Sequence, residues 1–418
     1  MKRLALLFAT VALASCGSDK SNASSDKTTA PKTSEPTADP VAQTGPEPAE
    51  PDEPPEEKPP EKPDGHDFIK ESQFLYRVAA CGEGVGELPA HLKAKKVETD
   101  CKRVKAALKK YRDKWLTKAM PFFKDLVPKD LPKKVVYPFG GGDLMTGLAV
   151  FPDFDELTTL SLEPAGDPRG VHEMKAGRFN AALAGIHKEL RRLYRINHSL
   201  TKEMITQFRG GTLPGHLIFS LAALEIHGLV PTAVYYFDLT DDGAIKYLTT
   251  ADIQATDAKS KAKRNSRFGN VEIRFSKPGD KRVRIYRHLM ANLDNEHIAA
   301  DPRAVLHLKA KGKAPMMTKA ASFLLWWDNF STIRTYIIEH MLWMVSDATG
   351  LPPVHAKAAG FTQETWGKFT GPILNPGTTI TKQFRKLWKE NEQRDLAFRF
   401  GYPDKRGLNH MMVTKPGK

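Results

Sequence analysis

Apolar positions along this chain recur at two periods, and the switches between them mark its elements. From Val135 to Phe139 and from Leu157 to Leu162 the apolar runs are short and β-rich, which predicts two strands. Between them stand Gly140, Gly141 and Gly142, a short apolar segment and a break at Pro152. Residues 135–166 therefore read as strand, turn, helix, strand. Asp143 follows the glycines and Glu163 stands at the tip of the second strand. Groups at the carboxyl ends of neighbouring parallel strands converge on one crevice, so these two acids are the first candidates for chemistry.

Upstream, Val104, Leu108, Tyr111 and Trp115 recur at helical spacing behind Thr99 and Asp100, which can cap a helix that Pro121 is expected to stop. The other face of that helix carries Lys102, Arg103, Lys105, Lys109, Lys110, Arg112 and Lys114. Downstream, Phe179, Leu183, Ile186, Leu190, Leu193 and Leu200 form one stripe of a long helix ended by Gly210-Gly211. The segment from Gly215 to His227 is apolar on most sides, which predicts a helix buried between layers and stopped at Gly228. Residues 232–239 read as a strand closing on Asp238, 257–267 as a basic loop, and 271–275 and 283–288 as a hairpin about Pro278-Gly279-Asp280. The run 318–327 reads as another strand. Asp328 can cap a helix that carries Ile333, Ile337, His340, Met341 and Met344. A short helix near 384–388 and a strand near 410–414 complete the pattern.

Strand and helix alternate from residue 135 onward, which predicts an α/β fold: a layered, mostly parallel or mixed sheet with helices on both faces, plus an N-terminal helical segment. The rival is a two-layer α+β arrangement. The expected organisation is a signal over 1–15, a lipidated Cys and tether over 16–66, a helical, disulfide-bearing segment over 67–130 and an α/β domain over 131–418.

Composition changes the picture at the N-terminus. Lys2 and Arg3 precede an apolar run, Leu4 to Leu13, too short to span a bilayer, and the small residues Ala14-Ser15 follow. Leu13-Ala14-Ser15-Cys16 resembles the lipobox of bacterial lipoproteins, a likeness that implies diacylation of Cys16, export and a membrane anchor. Gly17 rather than Asp after the Cys implies outer-membrane retention, on the periplasmic face or the cell surface. Residues 17–66 hold eleven of the 30 prolines and no aromatic residue, so they cannot bury enough apolar surface to offset their ordering entropy.

The chain carries +14 overall; residues 17–66 carry −7 and the first sixteen +2, which leaves +19 on 67–418. A basic unit on a mildly acidic stalk favours anionic partners. In a cell envelope these are lipid head groups, anionic glycans or acidic proteins, with nucleic acid a partner only if the domain faces outward, and the helix face at Lys105, Lys109 and Arg112 is the leading contact. With Cys16 lipidated, Cys81 and Cys101 remain as one pair in an oxidising compartment, which favours a disulfide over a metal site.

Tyr137-Pro138-Phe139 with Gly142-Asp143, then Phe151-Pro152 and Leu162-Glu163-Pro164 with Gly166, resembles the opening block of a family of bacterial exported proteins with no established activity. Lys319-Ala320-Ala321-Ser322, Phe330-Ser331, Ile333-Arg334, Asp347 with Gly350, and Phe400-Gly401-Tyr402 with Asn409 resemble its closing blocks. Two departures are the Gly140-Gly141-Gly142 turn, where the family has a Ser-Gly-Pro type, and Ala348-Thr349 inside the Asp–Gly pair. The resemblance implies a shared fold and a shared site without naming a reaction or a cofactor.

The glycine turn leaves backbone N–H groups free to approach a phosphate or carboxylate. Glu163, twenty residues past Asp143, stands where dinucleotide and methyl-donor folds place a ribose-binding acid. GxGxxG is absent, however, and the plainer reading is a tight turn with Asp143 capping the helix behind it. GxSxG, HExxH and P-loop motifs are absent too, which argues against the commonest serine hydrolases, zinc proteases and phosphate-loop enzymes. Asp143, Glu163 and His288 remain as candidates for acid–base work on a glycan or nucleotide-like substrate, beside Asp238 and Asp328. Their plain competitors are caps, turn acids and a half-buried strand histidine. Of Trp326-Trp327, strand alternation buries at least one. The balance favours an envelope lipoprotein that binds an anionic ligand; the alternative is an envelope enzyme using the strand-end acids.

Overall fold

The computed structural model describes residues 60–88, 92, 94–169, 171, 174–196, 213–256, 267–371, 379–402 and 406–417. The expected signal, Cys16 and nearly all of the tether lie outside them. Among the described residues no helix is long and apolar enough to cross a membrane.

The helices are α1 (Ile69–Val78), α2 (Ala94–Tyr111), α3 (Thr117–Leu126), α4 (Leu144–Val150), α5 (Ala176–Ile196), α6 (Gly215–Ile226), α7 (Thr250–Gln254), α8 (Asn295–Ala300), α9 (Arg303–Lys309), α10 (Ser331–His340), α11 (Pro353–Ala358) and α12 (Thr379–Glu390). The strands are β1 (Lys134–Tyr137), β2 (Glu156–Ser161), β3 (Val230–Leu239), β4 (Ile245–Tyr247), β5 (Asn270–Ser276), β6 (Arg284–Met290), β7 (Ala314–Thr318), β8 (Met341–Ser346), β9 (Phe361–Gly367) and β10 (His410–Pro416). They form one mixed sheet in the order β4-β3-β5-β6-β2-β1-β7-β8-β10-β9.

The five central strands, β6-β2-β1-β7-β8, run parallel, and antiparallel wings flank them on both sides. Successive side chains of β1 explain the layering. Val135 and Tyr137 face a core shared with α1 to α6, whereas Val136 faces one shared with α8 to α11. Both faces are covered, as a parallel sheet requires. The α/β expectation holds, and the two-layer rival does not. The hairpin at Pro278 forms too, but β6 enters the sheet interior beside β2 instead of making an edge.

Five local expectations change. Thr99 lies inside α2, its hydroxyl donating to the Lys95 carbonyl, so it is not a cap. Pro121 lies inside α3, one turn after a π-helical segment, Arg112–Leu116, that already interrupts the regular ladder. The 318–327 strand stops at Thr318 and turns into 3-10 helix over Ala321–Trp326. Asp328 caps nothing by its side chain; it is exposed and paired with Arg334. The helix behind it ends at His340, and Met341 and Met344 belong to β8. The residues expected to end α5 lie outside those described. Cys81 and Cys101 are disulfide-bonded, fastening the end of α1 to α2.

Candidate functional site

From β1 the chain winds to β2 and then β6 on one side, and from β7 to β8 on the other, so the winding reverses between β1 and β7. At such a point the loops leave in opposite directions and open a crevice at the carboxyl ends. β1 and β7 are joined there by the single register pair Val136↔Met316. Phe139 and Ala320, just past the two strand ends, both have left-handed backbones, at φ 60° and 62°. A side chain bearing Cβ is strained in that region, and such strain persists only where the surroundings over-determine it.

The glycine turn is built for closeness. A Cβ on Gly140 would lie 2.8 Å from the Tyr137 ring and 2.9 Å from Thr159, and Gly141 has φ 53°. Asp143 caps α4 as the plainer sequence reading holds: its Oδ1 accepts from the Thr146 N–H and hydroxyl. Its Oδ2 accepts from the Tyr137 hydroxyl at 2.9 Å and from the Lys319 ammonium at 2.6 Å. Burial, then the Asp143 charge, pushes the Tyr137 phenol well above its ordinary range, so it remains a donor. Lys319 also donates to Thr146 and lies 5.8 Å from the centre of the Phe400 ring.

Beyond β8, Asp347 is fully buried and saturated. Its Oδ2 accepts from the Ala320 and Tyr402 N–H groups, and its Oδ1 from the Thr349 N–H and hydroxyl. A Cβ on Gly401 would lie 1.9 Å from Oδ2, so only glycine admits this carboxylate. Tyr137, Asp143, Lys319, Asp347, Gly401 and Tyr402 thus gather just past the carboxyl ends of β1, β7 and β8.

Glu163 and His288 belong to a second cluster, one strand further. The His288 Nε2–H donates to the Glu163 carbonyl at 2.8 Å, because a carbonyl can only accept. Its Nδ1 therefore accepts from Thr159. Thr159 then accepts from Tyr286 at 2.8 Å, and Tyr286 from His216 Nε2 at 3.3 Å. The His216 ring lies against His288, centroids 3.7 Å apart. Burial lowers His288 to about 4; burial, then the His288 charge, lowers His216 well below the usual range, so both rings are neutral at pH 7.

This chain of donors ends in unmatched acceptors. Among the described residues, His216 Nδ1 has no partner, and neither oxygen of the Glu163 carboxylate has one, although Glu163 is only 4% exposed. Among the described residues, no hydrogen bond or ion pair joins Asp143 to Glu163 or to His288. The three acids and bases expected to converge therefore divide between two clusters. Lys319, Asp347 and His216 were given no role in the sequence; Lys319 and Asp347 stood only among the residues of the resemblance, and His216 only as a His inside an otherwise apolar helix.

The basic helix face is partly engaged within the chain. Lys105 pairs with Glu83, Lys109 with Asp113 at 2.6 Å, and Arg112 donates to the Ile226 and Glu225 carbonyls. Asp238 pairs with Arg267. Trp326 is buried and Trp327 is exposed, so one ring joins the core as expected, but at the end of a 3-10 helix and not by strand alternation. The grouping of Cys81, Cys101 and His187 has ligand-like spacing, but both sulfurs are held in the disulfide. Compared with known proteins, the chain matches no family model, no curated protein and no solved structure.

Proposed function

We propose that this chain is a lipid-anchored cell-envelope protein whose α/β unit binds the vicinal hydroxyls of a sugar or nucleoside at the Glu163 cluster. The single observation that carries the reading is the Glu163 carboxylate, buried at the end of β2 with neither oxygen partnered among the described residues. A buried carboxylate costs several kcal/mol unless it is hydrogen-bonded, roughly 2–7 kcal/mol even for a neutral polar group. His216 adds a third unmatched acceptor in the same cluster. Acceptors without donors call for a ligand rich in O–H, and an acid at the end of the second strand is where doubly wound sheets hold a ribose.

Binding is favoured over turnover by the state of the other acids. Asp143 is neutralised by Lys319 and Asp347 is saturated, so neither is poised to exchange a proton. Asp143 also satisfies the start of α4, where a nucleotide phosphate would otherwise sit.

Titration calorimetry with ribonucleosides and envelope hexoses tests the reading. One class is expected to bind wild type, to lose binding in Glu163→Gln and to lose it when the vicinal hydroxyls are removed from the ligand. A response to divalent cations alone, with none to any diol, overturns it. The anchor has its own check: labelled palmitate should mark the wild type and not Cys16→Ala.

A second reading, attachment to an anionic surface, rests on α2 and the segment after it. Lys102, Arg103, Lys110 and Lys114 are exposed and stand outside the ion pairs formed by their neighbours. Vesicle binding that falls steeply with salt, and falls again when these four are reversed to Glu, supports it. Binding unchanged by the reversal sinks it.

A further inference from the structure

We propose that a cavity at the amino ends of β2 and β6, at the opposite pole of the sheet from the crevice, is a binding site for a small organic carboxylate. The cavity measures about 170 Å³. A void of roughly 150 Å³ accommodates benzene, so a ligand of about half a dozen heavy atoms fits. Arg284, the first residue of β6, lines it together with Lys277, His227, Met120, Leu148 and Leu229.

Arg284 is the reason to assign an anion. It is 8% exposed, yet among the described residues no carboxylate lies within ion-pair distance of it. One donor of its fork reaches the Pro152 carbonyl at 2.6 Å. Its guanidinium lies 5.0 and 5.6 Å from the centres of the Phe275 and Phe154 rings, which are edge to face with each other and give it two cation–π contacts. A guanidinium has five N–H donors in a rigid fork that matches a carboxylate with two parallel bonds. Leaving such a cation buried and unpaired is costly.

The surrounding charges leave that role open. Asp153, Asp280 and Arg282 line the cavity too; Asp155 and the Asp153 backbone carbonyl engage Arg282, the Asp280 carboxylate accepts from the Arg282 backbone N–H, and neither cavity-lining carboxylate comes within ion-pair distance of Arg284 among the described residues. Lys277 is exposed at the rim on the β5–β6 turn. His227 donates from Nε2 to the Met145 carbonyl and is held neutral, burial lowering it to about 4. Burial, then the Arg282 charge, also lowers Arg284 from its ordinary value without neutralising it. Met120, Leu148 and Leu229 give the far wall an apolar character. That wall suits a short hydrocarbon tail better than a fully hydrated inorganic anion.

Calorimetric titration of the full chain with butyrate, at constant ionic strength set with chloride, tests this site, with inorganic phosphate as the parallel arm. One butyrate per chain is expected, weakened at least tenfold in Arg284→Gln and two- to threefold in Lys277→Glu. Lys277 lies on an exposed turn, so its reversal keeps the test valid if the Arg284 variant fails to fold. Three results would overturn the assignment: no butyrate binding, butyrate binding that ignores both substitutions, or binding of phosphate alone. Glu163→Gln should leave butyrate binding unchanged, which separates this site from the diol site.

Discussion

The ammonium of Lys319 and the carboxylate of Asp143 meet at 2.6 Å across the point where the sheet reverses its winding, with both side chains almost wholly out of solvent. Neither charge has water to fall back on. Removing one partner strands the other, and breaking a buried pair in this way costs about 3–5 kcal/mol. Lys319→Met is expected to lower unfolding stability in urea by about that amount. The double variant Lys319→Met/Asp143→Leu should recover part of it, short by the lost α4 cap, roughly 0.5–2 kcal/mol. Full additivity of the two single losses would show that the pair is not coupled.

Glu163 should behave in the opposite sense. Its oxygens have no donor among the described residues, so the carboxylate is a burden on the unliganded fold and not a support. Glu163→Gln is expected to raise the melting temperature of the free protein, by roughly 1–3 kcal/mol of stability. A stabilising change that removes binding is the usual trade at a functional site. A lower melting temperature for Glu163→Gln would mean that the carboxylate already has a structural partner.

The disulfide between Cys81 and Cys101 joins positions 20 residues apart. Loop closure of that size is worth about 3 kcal/mol in the chain-entropy account. Cys81→Ser/Cys101→Ser should lose about this much without losing the sheet, because the bridge ties α1 to α2 and touches no strand. Circular dichroism that collapses at 25 °C in the double variant would show a larger role.

The elements legible in the sequence were those with a single strong period. β1, α4, β2, α6 and the β5–β6 hairpin follow from short β-branched runs and from glycines at positive φ, such as Gly228 and Gly279. Misreadings gathered where local pattern and tertiary placement compete. Met341 and Met344 continue the apolar spacing of α10, yet the parallel ladder with β7 takes them as strand, through pairs such as Met316↔Met344. β9 was missed because Phe361–Gly367 is a sheet edge with few buried positions. The site was half legible. Asp143 and Glu163 were placed at the correct strand ends, but their separation into two clusters depends on Lys319 and His288, which arrive from strands far away in sequence. Nothing local in a chain reports that a Lys more than 170 residues on will neutralise an acid.

Buried histidines give the last expectation, a steep loss of stability in mild acid. His227, His288 and His307 are each lowered to about 4, in every case first by burial, and burial also lowers His216 well below its ordinary value. Unfolded, each would titrate near 6.5. Between about 6.5 and 4 the unfolded chain therefore binds protons that the folded chain refuses, so stability rises with pH across that window and levels off above it. Three such groups give a slope approaching about 4 kcal/mol per pH unit near pH 5, against a typical total of roughly 5–15 kcal/mol. Glu156, held near 2 because Lys311 and Arg287 outweigh the opposing effect of its burial, loses its contribution only below about 4.5, beneath most of the window. Melting temperature should be flat from pH 8 to 7 and fall sharply from 6.5 to 5. His307→Gln, which keeps a donor for the Gly243 carbonyl, should flatten the fall by about a third of the three-histidine limit. A melting temperature constant between pH 7 and 5 would mean that these rings take up protons without resisting them, and that their burial costs the folded chain nothing.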